Sequence, residues 1–301
     1  MKPEDYETMN ICQVDPDNAD HLYTLWSRLN QKGRYSDDKS RDEFLHRYFQ
    51  NPSVESRCYL GEEDENKLGA VLLEIYGWGI YLYDWIEKRE TYVFEEFFDH
   101  ILDSIDENDT IILAPHFGRD EGVDGWKDLG FSNSEEAPYN LLMKRDLSAD
   151  EDLEGIDVGI DILADPAEKE MIEQLASLLT KISSRWDDKK TMEKNICWEL
   201  EDKMIYYLAS KEGKPIGYCG MEKRELVSGD EMNWIRELGV IPKGRGEGVA
   251  TELIIHALKR SIKEGRVEIY IDTHSENPAV DLYKRLGFQV IESVPNLVYD
   301  V

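Results

Sequence analysis

The two halves of the chain repeat each other, and that repeat restricts the fold more than any other feature. The segments ICQVDPDNADHLYTLW and IDILADPAEKEMIEQLA place the dipeptides Asp15-Pro16 and Asp165-Pro166 alike, 150 residues apart, each between a short strand and a helix. In ENKLGAVLLEIY and EGKPIGYCGMEK a polar turn leads into a strand through Gly69 and Gly217, now 148 apart. In GWKDLGFSNSEEAPYNLLM and LYKRLGFQVIESVPNLVYDV a helix ends on a C-cap glycine, Gly130 or Gly287, 157 apart, before a strand that opens on Phe. Two copies of such a period point to duplicated domains and not to a solenoid, which needs three or more repeats. The expected division is 1–147 and 155–301, with the polar run KRDLSADEDLEG as linker.

The repeat period grows by nine residues between Gly217 and Gly287, and GVIPKGRGEGVATELII lies inside that window. The aligned stretch of the first half, YLYDWIEKRETYVFEEFFDHIL, has no glycine between its strand and its helix. In the second half EMNWIRELGV reads as a strand, and Val249, Ala250, Leu253, Ile254, Ala257 and Leu258 fall at helical spacing. Glycines between a strand and a helix N-terminus leave backbone N–H groups free at the positive end of the helix dipole, an anion-binding arrangement. A P-loop is excluded, because Gly244 is followed by Arg245 and Gly246 where that motif needs Lys and a hydroxyl residue. A dinucleotide fingerprint fits poorly, since its third glycine falls on Val249. Both failures argue against a nucleotide-binding regulator.

The pattern present is VxPxxRGxGxA, from Val240 through Ala250, followed by VEIYIDTHSENPAVDLYKRLGF. It resembles the acyl-CoA loop, next strand and Tyr-bearing helix of the GNAT superfamily of N-acetyltransferases. The likeness is carried by residues 232–288, and the weaker match of GWKDLGF and DPDNAD suggests a degenerate first copy, as in tandem GNAT proteins. The resemblance implies an α/β fold of two tandem acyl-CoA N-acyltransferase domains, each a mixed, mostly antiparallel sheet flanked by helices. It implies acetyl-CoA as co-substrate, no metal, and an acetyl group moved to a primary amine by direct attack in a ternary complex. A second reading is a non-catalytic acyl-CoA sensor or scaffold that keeps the loop and lacks turnover.

Carried over position by position, the resemblance assigns the CoA contacts to Leu238, Val240, Arg245, Gly246, Gly248, Val249, Ala250 and Asn277, with the Val240 N–H on the thioester oxygen. Tyr283 takes the place of the tyrosine that protonates the departing thiolate, or else packs beside Phe288; Trp126 stands there in the first half, implying an inert copy. On a strict period of two, Met232, Trp234, Arg236 and Leu238 share one face and Glu231, Asn233, Glu237 and Gly239 the other. Met, Trp and Arg supply no base at neutral pH. Glu237 matches a place often acidic in the family, so the resemblance makes it the candidate to position or deprotonate the amine, its alternative being an ordinary strand carboxylate paired at the surface. Arg236, if it faces the cleft, would suit an acceptor carboxylate, and His274 either reaches the reactive end or sits in a solvated loop.

Composition sets outer limits. A formal net charge of −29 repels nucleic acids and anionic membranes; it either draws cationic acceptors or serves hydration. No apolar run approaches the ~20 residues of a membrane span, and MKPEDYETMN lacks the features of a leader, so the expected compartment is cytoplasmic. Cys12, Cys58, Cys197 and Cys219 show no metal spacing and read as reduced, buried thiols. The resemblance implies a small-molecule or peptide amine as partner; the oligomeric state is not readable.

Overall fold

The computed structural model describes residues 9–16, 19–30, 40–50, 54–63, 66–76, 79–86, 90–106, 109–114, 123–148, 153, 158–182, 188–225 and 229–301. Half of the expected linker, and Asp17 and Asn18 of the first helix entry, lie outside them, and residues 144–146 of that linker form the end of a strand instead. In chain order the first half forms β1 (Asn10–Val14), α1 (Asp20–Asn30), α2 (Arg41–Phe49), β2 (Glu55–Glu63), β3 (Asn66–Tyr76), β4 (Gly79–Asp84), α3 (Thr91–Leu102), β5 (Thr110–Leu113), α4 (Asp124–Asp128), β6 (Ser132–Asn133) and β7 (Tyr139–Asp146). The second forms β8 (Gly159–Leu163), α5 (Lys169–Ile182), α6 (Lys189–Glu201), β9 (Met204–Lys211), β10 (Lys214–Glu225), β11 (Glu231–Val240), α7 (Val249–Lys263), β12 (Glu268–His274), α8 (Ala279–Arg285), β13 (Gln289–Pro295) and β14 (Leu297–Asp300).

These strands make two seven-stranded mixed sheets, β1-β2-β3-β4-β5-β14-β6 and β8-β9-β10-β11-β12-β7-β13. The order is the same in both except that the sixth place is exchanged. β7 leaves its own half to lie between β12 and β13, and β14 returns to lie between β5 and β6. The chains cross where Asn296 N–H donates to Pro138 O at 3.0 Å, its amide donates to Ala137 O at 2.8 Å, and Ser134 N–H donates to Asn296 O at 2.8 Å. The spans 1–147 and 155–301 therefore mark two copies of the repeat and not two sheets.

Matching hydrogen bonds make the repeat physical. Phe131 N–H donates to Trp126 O and Phe288 N–H to Tyr283 O, each across a glycine of positive φ, Gly130 at 101° and Gly287 at 85°. Strand register also shows where the nine extra residues lie. Glu74 pairs with Tyr81 in the first hairpin and Glu222 with Trp234 in the second, a turn five residues longer. β11 then carries one bulged residue, Arg236, between the pairs Met221–Ile235 and Gly220–Glu237, where β4 runs straight. The remaining growth falls after the strand, mainly in the glycine loop.

Each sheet is buried on both faces. In the second, α7 and α8 cover a core of Ile235, Leu253, Ala257, Leu258 and Tyr283, and α5 and α6 cover one of Leu175, Leu179, Ile196, Tyr206 and Tyr218. The halves meet at α2 and α6: Arg47 pairs with Asp202 at 2.6 Å, and the Trp198 indole donates to His46 O at 3.0 Å. Of the four cysteines, Cys58 and Cys219 are buried, Cys197 is half-buried and Cys12 is exposed, so the expectation of four buried thiols holds for two. Among the described residues, no helix is long and apolar enough to cross a membrane.

Candidate active site

β11 and β12 pair in parallel at only three positions, Asn233–Ile269, Trp234–Tyr270 and Ile235–Ile271. The bulge at Arg236 follows at once, and from there the two strands part, leaving an opening in the sheet that runs towards the glycine loop. On its other side β11 stays bonded to β10: Ile241 N–H donates to Ile216 O at 2.9 Å, and Gly217 faces Val240. Antiparallel residues alternate between bonding a neighbour and turning their polar groups away. With Ile241 and Gly239 turned to β10, the N–H groups of Leu238 and Val240 point into the opening. The Val240 carbonyl is held by the Arg245 Nε at 3.2 Å.

The loop begins as a tight turn at Pro242–Gly244. Gly246 has φ 79°, and a Cβ there would meet nothing within 4 Å, so the glycine is needed for its backbone angle and leaves open space beside it. Gly248, with φ 83°, is the N-cap of α7 and accepts from Glu252 N–H at 3.0 Å. The N–H groups of Val249, Ala250 and Thr251 have no carbonyl one turn back and face out at the positive end of the helix. Arg245 is exposed beside them. This cradle fits a phosphate-bearing ligand.

The bulge also changes which residues share a face. Strict alternation puts Glu237 with Asn233 and Leu238 with Trp234; the extra residue reverses both. Leu238 and Val240 join Ile235 on the α7 side, while Glu237 and Gly239 join Trp234 on the α5–α6 side. Tyr206 and Glu237 flank Gly220 in register, and a Cβ at Gly220 would lie 2.9 Å from the Tyr206 ring. Gly239 likewise makes room for Tyr218, whose ring a Cβ there would approach to 2.4 Å. One oxygen of Glu237, Oε2, is buried with no hydrogen-bond partner. Burial pushes this carboxyl up, against the opposing pull of Arg236.

Sequence reasoning missed the group beside it. Glu199 of α6 accepts from the Tyr206 hydroxyl, and burial together with the Glu237 charge pushes it up to about 8. A carboxylate between Trp198 and Leu200, both buried, on an otherwise apolar stretch of α6 was the available signal.

Tyr283 lies on the opposite face, 4% exposed, its ring 6.2 Å from Phe288. Burial, with smaller contributions from Cys219 and Asp272, pushes its hydroxyl up, so it keeps its proton. Asn277 bonds locally: its Oδ1 accepts from Ala279 N–H and its Nδ2 donates to Thr273, both at 2.9 Å, which caps α8. Met232 and Trp234 are buried, the indole donating to Asp272 at 2.5 Å. Arg236 pairs at 2.9 Å with Glu222, itself 1% exposed, so its charge is balanced within the protein and not held out to an acceptor carboxylate. His274 is exposed at the end of β12, opposite Asn140. No group of three His, Cys, Asp or Glu among the described residues is placed to hold a metal ion.

Residues 172–288 match the acetyltransferase (GNAT) family. That match lies within the second half and covers less than half of the chain. An uncharacterised N-acetyltransferase of Methanocaldococcus jannaschii is 33% identical over 99 residues, 30% of this chain and 41% of that protein. The N-alpha-acetyltransferase MAK3 of Arabidopsis thaliana is 35% identical over 88 residues, 28% of this chain and 44% of that protein. The chain thus spans less than half the length of either curated relative. A tandem GNAT protein from the clavulanic acid biosynthesis pathway superposes with a TM-score of 0.73 at 12% identity, covering 97% of this chain and 98% of the other. The architecture is that of two tandem GNAT domains.

Proposed function

We propose that the second half transfers an acetyl group from acetyl-CoA to a primary amine by direct attack in a ternary complex, and that the first half does not catalyse. The observation that carries this is the opening between β11 and β12, with the Leu238 and Val240 N–H groups turned into it beside the glycine cradle. Arg245, Gly246, Gly248, Val249 and Ala250 surround the CoA pyrophosphate, and Leu238 lines the pantetheine path with Asn277 at its far side. The Val240 N–H donates to the thioester oxygen, where charge grows as the amine attacks the carbonyl carbon. The C–S bond breaks, Tyr283 gives its proton to the thiolate, and Glu237 takes the proton leaving the nitrogen.

One observation favours a second reading, a non-catalytic acyl-CoA sensor: Met232, Trp234 and Arg236 leave the middle of β11 without a base. Calorimetric titration of acetyl-CoA, followed by thiol release against small amines and peptide N-termini, separates the two. Binding with amine-dependent thiol release supports the enzyme, binding alone the sensor, and no binding overturns both.

A further inference from the structure

We propose that Glu199, gripped by Tyr206, is a positioning residue for Glu237, the two carboxyl groups acting as a pair that takes one proton from the acceptor amine. The inference rests on the reading of Glu237 as the base and deepens it. Three elements build the arrangement. β11 carries Glu237 just past the bulge, on the face turned away from α7. β9 carries Tyr206, whose ring can lie across towards Glu237 because Gly220 between them has no side chain. α6 brings Glu199 onto the Tyr206 hydroxyl.

Tyr206 can give its single proton to only one carboxylate, and it gives it to Glu199. Glu237 therefore keeps a buried oxygen with no partner, the state of a group that waits for a donor. Titratable groups that face the pair are Arg236 on β11, Arg47 on α2 and Tyr218 on β10. The two arginines are engaged by Glu222 and Asp202, which limits what they give the pair. Burial and mutual repulsion then disfavour two charges together, so the carboxyls hold one proton between them near neutral pH. An amine that arrives protonated finds one carboxylate able to take its proton. No bond other than N–H and O–H changes in this step.

The test is a carbon-detected NMR titration of the full chain labelled at glutamate Cδ, comparing wild type with Glu199→Gln, Glu237→Gln and Tyr206→Phe. Wild type should show two carboxyls titrating well above the ordinary range. Glu199→Gln should leave one, shifted down by about a pH unit. Tyr206→Phe keeps the ring but removes a donor to the charged form, so the Glu199 midpoint should rise. Where an amine from the screen is turned over, Glu199→Gln should move the acid limb of kcat/KM to lower pH, and Glu199→Asp should restore it. If the Glu237 midpoint is unchanged in Glu199→Gln while transfer persists, the pairing is overturned. If the pair titrates together but Glu237→Gln transfers acetyl at the wild-type rate, the base assignment of Glu237 fails instead.

Discussion

Where β4 ends, the first half holds Asp84, and the Trp126 indole donates to it at 2.6 Å from a cage of Phe94, Phe98 and Phe131. Where β11 ends, the second half holds Leu238 in the register position of Asp84 and Tyr283 in that of Trp126. The strand frame is shared, yet one half seals this place with aromatic rings and the other leaves it open. The contrast extends to the neighbouring helix. Glu90 is the N-cap of α3 and makes no side-chain cap bond, putting a carboxylate-bearing residue where α7 has Gly248. Tyr83 holds the register place of Glu237, and with Tyr76 it bonds Glu74, whereas the matching Glu222 is held by Arg224 and Arg236. A bulge, a longer loop and a few substitutions are enough to separate the copy that seals this place from the copy that leaves it open.

The comparison can be broken most severely at the exchanged strand. Deleting residues 296–301 removes β14, with its fully buried Leu297 and with Tyr299, whose ring lies 4.9 Å from Phe98. The expected loss is about 3–5 kcal/mol, read as a fall in Tm by circular dichroism. Next comes the matched pair of rings. Tyr283→Phe should lower kcat/KM by about 10²-fold if the hydroxyl is the acid, while Trp126→Phe should leave turnover intact and cost about 1–3 kcal/mol by stripping Asp84 of a donor. Equal effects on turnover would erase the distinction between the halves. Calorimetry should then find one equivalent of acetyl-CoA and not two, and Gly246→Val should weaken binding about tenfold, because a branched residue resists φ 79°.

The smallest effect is in pH dependence. Glu199 is raised to about 8, so between the ordinary carboxyl range and pH 8 the folded state keeps a proton that the unfolded chain releases. Stability should therefore fall as pH rises through that window and level off above it, by about 1–2 kcal/mol after allowance for partial exposure. Glu199→Gln should flatten the slope in a chemical denaturation series. Glu264 acts at the other end: burial opposes its charge, but Lys223, Arg260 and Asn233 hold it down to about 2, so its contribution is lost as pH falls towards that value.

Much of the fold was legible because glycine and proline mark turns whatever surrounds them: the two Asp-Pro entries and the caps at Gly130 and Gly287 recur as read. The strand exchange was not. PYNLLMKRD and PNLVYD are near copies of one alternating pattern, and either could fill the sixth place in either sheet. The loop was visible because clustered glycines are unusual between a strand and a helix, and Tyr283 was singled out only by the resemblance. The face of Glu237 was misread because a bulge leaves no mark in a hydrophobic pattern, and Glu199 was missed because a helix sequence does not say which strand it will meet.

The crossing at Pro138 and Asn296 bears on how the chain comes to be assembled. β14 lies between β5 and β6, yet it comprises Leu297–Asp300, beyond every other strand of the second half. During synthesis the early half must wait, with a slot in its sheet vacant and the core face above it uncovered, until the second half has been made. Its partner faces no such delay, since β7 has emerged before β12 and β13 are made. The copy that carries the glycine cradle can close first, and the copy that seals its own opening is completed last.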